Sequence, residues 1–260
     1  MIDRMLFLSS LKDLCRAKRL AALLLFALAP TLLGLIILSV KEMPIGRGEA
    51  LYNGLVDQLV FGFVLVMIAA ITGTGALAQE IERKTIVYLL TRPVARWRIA
   101  IWRLLSAIVV TTLVALLSLL LCAGLCFGTG VFHEQVVRHD AGVLMLGALS
   151  YTCLFFLLGA AVNRPLLYAI FFAFGWESWV PNMPGNFSQV SLMSFLRALA
   201  PHEQAESSGN DVMQMLQEFG RPEIATSTAH WVLWGTAAVC ICAALLVFSR
   251  REYCPKDDGG

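Results

Sequence analysis

Between Ala78 and Arg103 the chain gathers Glu80, Glu82, Arg83, Lys84, Arg92, Arg96, Arg98 and Arg103 into its most charged connector, with long apolar runs on either side. Charges of both signs, closely set along one connector, suit recognition of a partner surface. Glu80 stands three and four residues before Arg83 and Lys84, the spacing of ion pairs along one helix face. Ile81, Thr85 and Tyr88 form one stripe, and Ile86, Leu89 and Leu90 form another. Pro93 should end the helix, and Arg92 before it is biased toward extended backbone. A helix, a proline turn and a second basic helical start make a compact knuckle that a soluble partner could grip. The ordinary alternative is a solvated loop whose arginines only set topology. The apolar positions inside the connector favour a docking element.

Other reactive side chains are sparse. Glu177 is the one acidic or basic residue inside a predicted apolar span. It is a candidate for a pathway or an external gate; the alternative is an interfacial residue capped by nearby polar groups. His133, His139, His202 and His230 fall on one predicted side of the chain with no spacing that gathers a metal, which reads as an uninvolved surface role. The seven cysteines lie in apolar runs or at predicted inner ends, so neither a disulfide framework nor a zinc site is suggested. Gly73-Thr74-Gly75 lacks the lysine of a phosphate loop, and G-x-x-x-x-G-K-[ST] is absent from the sequence. With no H-E-x-x-H, no G-x-S-x-G and no close pair of membrane carboxylates, no nucleophile–base pair presents itself. The expectation is a chain with no catalytic residue and no metal ligand.

The elements that must position the connector follow from composition. The chain of 260 residues is 58% hydrophobic, with a mean hydropathy of +0.73. Charged residues make up 15%, against ~25% in ordinary soluble domains. A soluble core could not hide that much apolar surface, so the fold class is an all-α integral membrane protein, one domain over 1–260. Against a need for ~20 apolar residues per crossing, six runs qualify as transmembrane helices: Leu20–Val40, Leu59–Leu77, Leu104–Phe127, Ala141–Val162, Leu166–Val180 and His230–Phe248. The fifth is short and should break near Pro181. Pro30 is tolerable inside the first, which is read as an uncleaved anchor because its apolar stretch is too long for a signal peptide.

Five of the 20 Lys and Arg residues (Lys41, Arg47, Arg138, Arg197 and Arg221) fall in the outer segments, and the rest lie on the inner side. That asymmetry puts both termini in the cytoplasm. Trp97 and Trp102 then sit at the inner edge, and Trp176, Trp179, Trp231 and Trp234 toward the outer one, as an aromatic belt. Residues 1–19 read as an interfacial helix with Phe7, Leu11 and Leu14 on one face, or as a plain basic flank. The region 181–228 is the largest external segment. Helical stretches are expected at Val190–Leu199 and at Asp211–Phe219, lying in the interface or re-entering beneath it. The loops Lys41–Gln58, Gly128–Asp140 and Asn163–Pro165 carry no signal.

The connector, Glu80-Ile81-Glu82-Arg83-Lys84-Thr85-Ile86 followed by Leu89-Leu90-Thr91-Arg92-Pro93-Val94-Ala95-Arg96-Trp97, resembles the signature of type-2 ABC exporter permeases. Its nearest flavour is similar to the branch that serves copper-enzyme maturation. Trp176-Glu177 followed by Pro184-Gly185 is a weaker echo of that branch. Lys84, Ala95 and Trp102-Arg103 depart from the commonest pattern, which has Gly, Ser and Gly-Lys there. The resemblance implies six spans, cytoplasmic termini, an amphipathic helix before the first span, and re-entrant helices between the fifth and sixth. It implies that segment 79–98 is a coupling helix seated in a separate ATP-binding cassette subunit, with Glu80, Glu82, Arg83, Arg92, Pro93 and Arg96 as contact candidates. ATP and Mg would be bound by that subunit, so this chain would not itself be an enzyme. A second permease copy, identical or paralogous, would complete the pathway. The setting implied is the bacterial cytoplasmic (inner) membrane, with lipid and no nucleic acid as partner.

Two further readings stay open. An ion-coupled secondary transporter would need intramembrane ionisable residues, and only Glu177 speaks for it. A non-transporting membrane scaffold or sensor would use the external segment to bind a partner.

Overall fold

The computed structural model describes residues 2–14, 16–41, 48–82, 96–128, 131, 134–182, 189–200 and 224–250. Every regular element among them is helical, which satisfies the backbone where hydrocarbon offers it no hydrogen-bond partners. α1 is Ile2–Leu14 and α2 is Ala17–Lys41. α3, Glu49–Leu55, runs through a π-helical stretch, Val56–Leu65, into α4, Val66–Glu82. α5 is Arg96–Phe127 and ends at Gly128, whose φ of +61° is the left-handed turn that glycine adopts at low cost. α6 is Gln135–Ala161; α7, Pro165–Phe171, continues as a π-helical turn to Glu177. α8 is Leu192–Leu199 and α9 is Thr226–Arg250.

Among the described residues, five helices are long and apolar enough to cross a membrane: Arg19–Ser39, Leu51–Leu77, Trp97–Phe127, Gln135–Ala161 and Thr226–Arg250. The helix expected as the fifth crossing is seven α-helical residues followed by six π-helical ones. At ~1.5 Å per residue it reaches no more than about 20 Å, short of a ~30 Å hydrocarbon core. It ends before Pro181, which lies in a 3-10 turn at Val180–Asn182. The expected outer helix is realised as α8, while Asp211–Phe219 lies outside the described residues.

Three expected starts move well upstream, the third run's to Arg96 from Leu104. The second run begins at Glu49 rather than Leu59, and the fourth at Gln135 rather than Ala141. The loops that carried no signal therefore hold the first turns of two core helices. With them Asp57, Arg138 and Asp140 enter span-length helices, as does Arg103 on α5, so Glu177 is not the lone ionisable residue at span level.

α4 and α6 form the centre. Their backbones approach through glycine: a Cβ on Gly73 would lie 3.0 Å from the Thr152 carbonyl oxygen, and one on Gly159 would lie 3.1 Å from that of Thr74. Small residues allow such contact where no aqueous hydrophobic effect drives helices together. At the same level the Thr152 hydroxyl donates to Thr111 at 3.2 Å, and the Thr111 and Thr72 hydroxyls stand 2.6 Å apart. Three helices are thereby joined by buried polar groups. One apolar cluster fills the half around Tyr52, Leu65, Leu144, Phe155 and Leu196; another fills the half around Leu14, Leu23, Leu77, Leu104 and Phe248. α8 reaches into the first: the Leu196 and Leu65 side chains both crowd Gly147, midway along α6.

Candidate functional site

The connector leaves one end of the bundle between α4 and α5. Glu80 and Glu82 belong to the last turn of α4, and Arg96 is the first residue of α5. Arg83, Arg92 and Pro93 fall within 83–95, outside the described residues. What is described is the base on which the connector stands. Buried Arg103 reaches across from α5 and donates to the Ala76 carbonyl of α4 at 2.8 Å. α1 is clamped on the same pair: Ser10 and Ser106 hydroxyls meet at 2.6 Å, and Phe7 stands edge-on to Trp102 with centroids 6.1 Å apart. Leu14 is buried and Leu11 half-buried while Ser9, Lys12 and Arg16 are exposed, as the sequence pattern predicts. Asp13 and Arg16 pair at 3.3 Å on that outer face. A force applied between Glu82 and Arg96 would reach α4, α5 and α1 together.

Glu177 stands far from this end. Ser191 donates to its Oε2 at 2.5 Å, the Leu192 backbone N–H to Oε1 at 3.2 Å, and the Met193 N–H to Oε2 at 3.2 Å. A carboxylate is thus set on the N-terminus of α8, where unpaired N–H groups and the helix dipole both favour it. Ser191 adds its own cap by accepting from Met193 N–H at 3.1 Å. So Glu177 is capped by polar groups, and it joins the end of the α7 segment to α8. Beside it lies a cleft of about 590 Å3, apolar in lining, between α6 and α9.

Two more polar ties hold the same half. Arg197 of α8 donates through Nε to Asp57 Oδ1 at 2.9 Å. The Tyr52 hydroxyl donates to Asp140 Oδ2 at 2.7 Å, fastening α3 to α6. Neither pair was expected from the sequence, although Tyr52, Val56, Val60 and Val64 recur at helical spacing and carry the apolar face straight through Asp57. His139 and His230, read as uninvolved, line one groove with Arg138. Cys122, Cys126, Cys153 and Cys240 are free and buried, as small apolar fillers would be. Among the described residues no three His, Cys, Asp or Glu side chains converge as a metal site.

The arrangement is braced at the base of the connector and carries a polar-latched cap in its other half. The family model described as ABC-2 family transporter protein matches residues 22–253. Comparison with curated proteins finds no match.

Proposed function

The chain belongs to the ABC-2 family of transporter proteins, and from that premise we propose that it is the membrane-spanning permease subunit of an ATP-driven exporter. The family implies an ATP-binding partner subunit; on this reading, that subunit binds ATP and Mg and docks on segment 79–98. Glu80, Glu82, Arg83, Arg92, Pro93 and Arg96 are the contact candidates. The observation that carries the reading is the bracing of α4, α5 and α1 immediately behind the connector. It supports a lever in which closure of the ATP-binding subunits tilts α4 and α5 as one body. A second permease copy completes the pathway, and this chain contributes no catalytic residue.

Six crossings are proposed, with the α7 segment and α8 together forming a broken fifth element. Glu177 at their junction, and Leu196 reaching Gly147 midway along α6, support a re-entrant α8. With the Lys and Arg asymmetry, this supports a cytoplasmic side for the termini and connector and an outer half for Glu177, which serves there as an external latch. The connector residues support the copper-enzyme maturation branch and a bacterial inner membrane.

The test is purification in mild detergent. An ATP-hydrolysing subunit should copurify, and Glu80→Lys or Arg96→Glu should release it with the bundle still folded. Retention of full assembly and coupling in both reversals would refute the docking. The buried carboxylates Asp57, Asp140 and Glu177 are the observation favouring ion-coupled transport. Loss of transport in Glu177→Gln, with no ATPase partner found, would establish that reading instead.

A further inference from the structure

A lateral groove of about 720 Å3 opens on the end of the bundle away from the connector, between α5, α6 and α9. It is chemically two-sided. Its rim carries Arg138 and His139 from the first turns of α6 and His230 from the start of α9. Its wall is apolar: Ile108, Leu146, Leu149 and Leu199 line it, and the exposed Met145 and Trp234 flank it. The three rim residues are exposed, and among the described residues none pairs with a carboxylate. The nearest acid on α6, Asp140, is buried and accepts from Tyr52. From Arg138 to Leu149 the helix rises about 16 Å at ~1.5 Å per residue. One leaflet's share of a ~30 Å hydrocarbon core is about 15 Å.

We propose that this groove binds one anionic phospholipid from the leaflet on that side. Its phosphate sits among Arg138, His139 and His230, and an acyl chain lies along α6. A guanidinium offers phosphate a bidentate, charge-assisted fork, and imidazole N–H groups add donors. Trp234 has the amphipathic character of residues at the headgroup boundary. A purely apolar occupant would leave the cationic rim unanswered, and free phosphate would leave the apolar wall uncovered. The length of the groove, one leaflet deep, matches an occupant with both parts. Gly142 lines the groove, and a Cβ there would meet no atom within 4 Å. Gly142→Leu therefore starts its side chain in open space and directs its bulk to the groove that Gly142 lines. The proposal stands on this groove alone and does not require the ATP-driven reading.

The full chain is reconstituted in nanodiscs of phosphatidylcholine with a minor share of phosphatidylglycerol, extracted gently, and weighed by native mass spectrometry. One phosphatidylglycerol per chain should be retained in preference to phosphatidylcholine. Arg138→Gln should cut that retention about tenfold, and Gly142→Leu should abolish it while the melting temperature in detergent is kept. Delipidated protein should be stabilised by phosphatidylglycerol micelles and not by inorganic phosphate. His230→Gln provides the same reading should Arg138→Gln fold poorly. Equal retention of both lipids would overturn the proposal, as would stabilisation by phosphate alone, or retention unchanged in both Gly142→Leu and a rim variant. Gly142→Leu that separates two copies and leaves lipid retention intact would make the groove an interface between copies, and would equally overturn it.

Discussion

Arg197→Met strands Asp57 inside the bundle. The Asp57 side chain is 7% exposed, its Oδ1 accepts from Arg197, and its Oδ2 is buried with no partner among the described residues. Breaking one side of a buried pair costs about 3–5 kcal/mol. Arg197 keeps 23% of its side-chain surface, so the bundle does not fully enclose the pair and the lower end of that range, about 3 kcal/mol, applies. At ~2–4 °C per kcal/mol for a chain of this size, the melting temperature should fall by roughly 6–12 °C. Asp57→Leu combined with Arg197→Met removes both charges, and such replacements range from neutral to stabilising. The double variant should therefore recover most of the loss. The assay is tryptophan-fluorescence melting in detergent for wild type, both single variants and the double. A melting point for Arg197→Met within roughly 2 °C of wild type, or a double variant as low as the two singles summed, would refute the reasoning.

Further substitutions have expected outcomes. Glu177→Ala removes an acceptor from three donors and should cost about 2–3 kcal/mol, against about 1 kcal/mol for Ser191→Ala; hydrogen exchange should speed up first at Leu192–Leu199 in both. Gly73→Ala forces a Cβ to within 3.0 Å of the Thr152 carbonyl oxygen and should cost about 1–3 kcal/mol. Gly124→Ala, with nothing within 4 Å, should be stabilising by about 0.5–1 kcal/mol in the same melt. Thr152→Val removes the donor to Thr111 and should cost about 0.6 kcal/mol, a small shift with no change in the pattern of exchange.

The helices were legible because bilayer length and apolar runs are properties of contiguous residues. The α1 stripe of Phe7, Leu11 and Leu14 and the break near Pro181 were legible for the same reason. A boundary at Leu59 fails because Asp57 interrupts the apolar run, and that acid is tolerated through Arg197, 140 positions later. The same logic places Asp140 in a loop, and its partner Tyr52 is 88 positions earlier. Pairings of that range leave no local trace. Glu177 was visible as an oddity in an apolar run, but the N–H groups it accepts from belong to a helix whose approach to it depends on tertiary folding. The gathering of Arg138, His139 and His230 had the same origin: helix ends meeting in space, from two segments that the sequence separates.

Site-specific photo-cross-linking from position 92, in membranes containing the native complex, tests the central idea most directly. An adduct is expected between this position and a nucleotide-hydrolysing subunit approached from the cytoplasm. An intact, active complex with no such adduct, or labelling of position 92 by reagents confined to the outside, would contradict it.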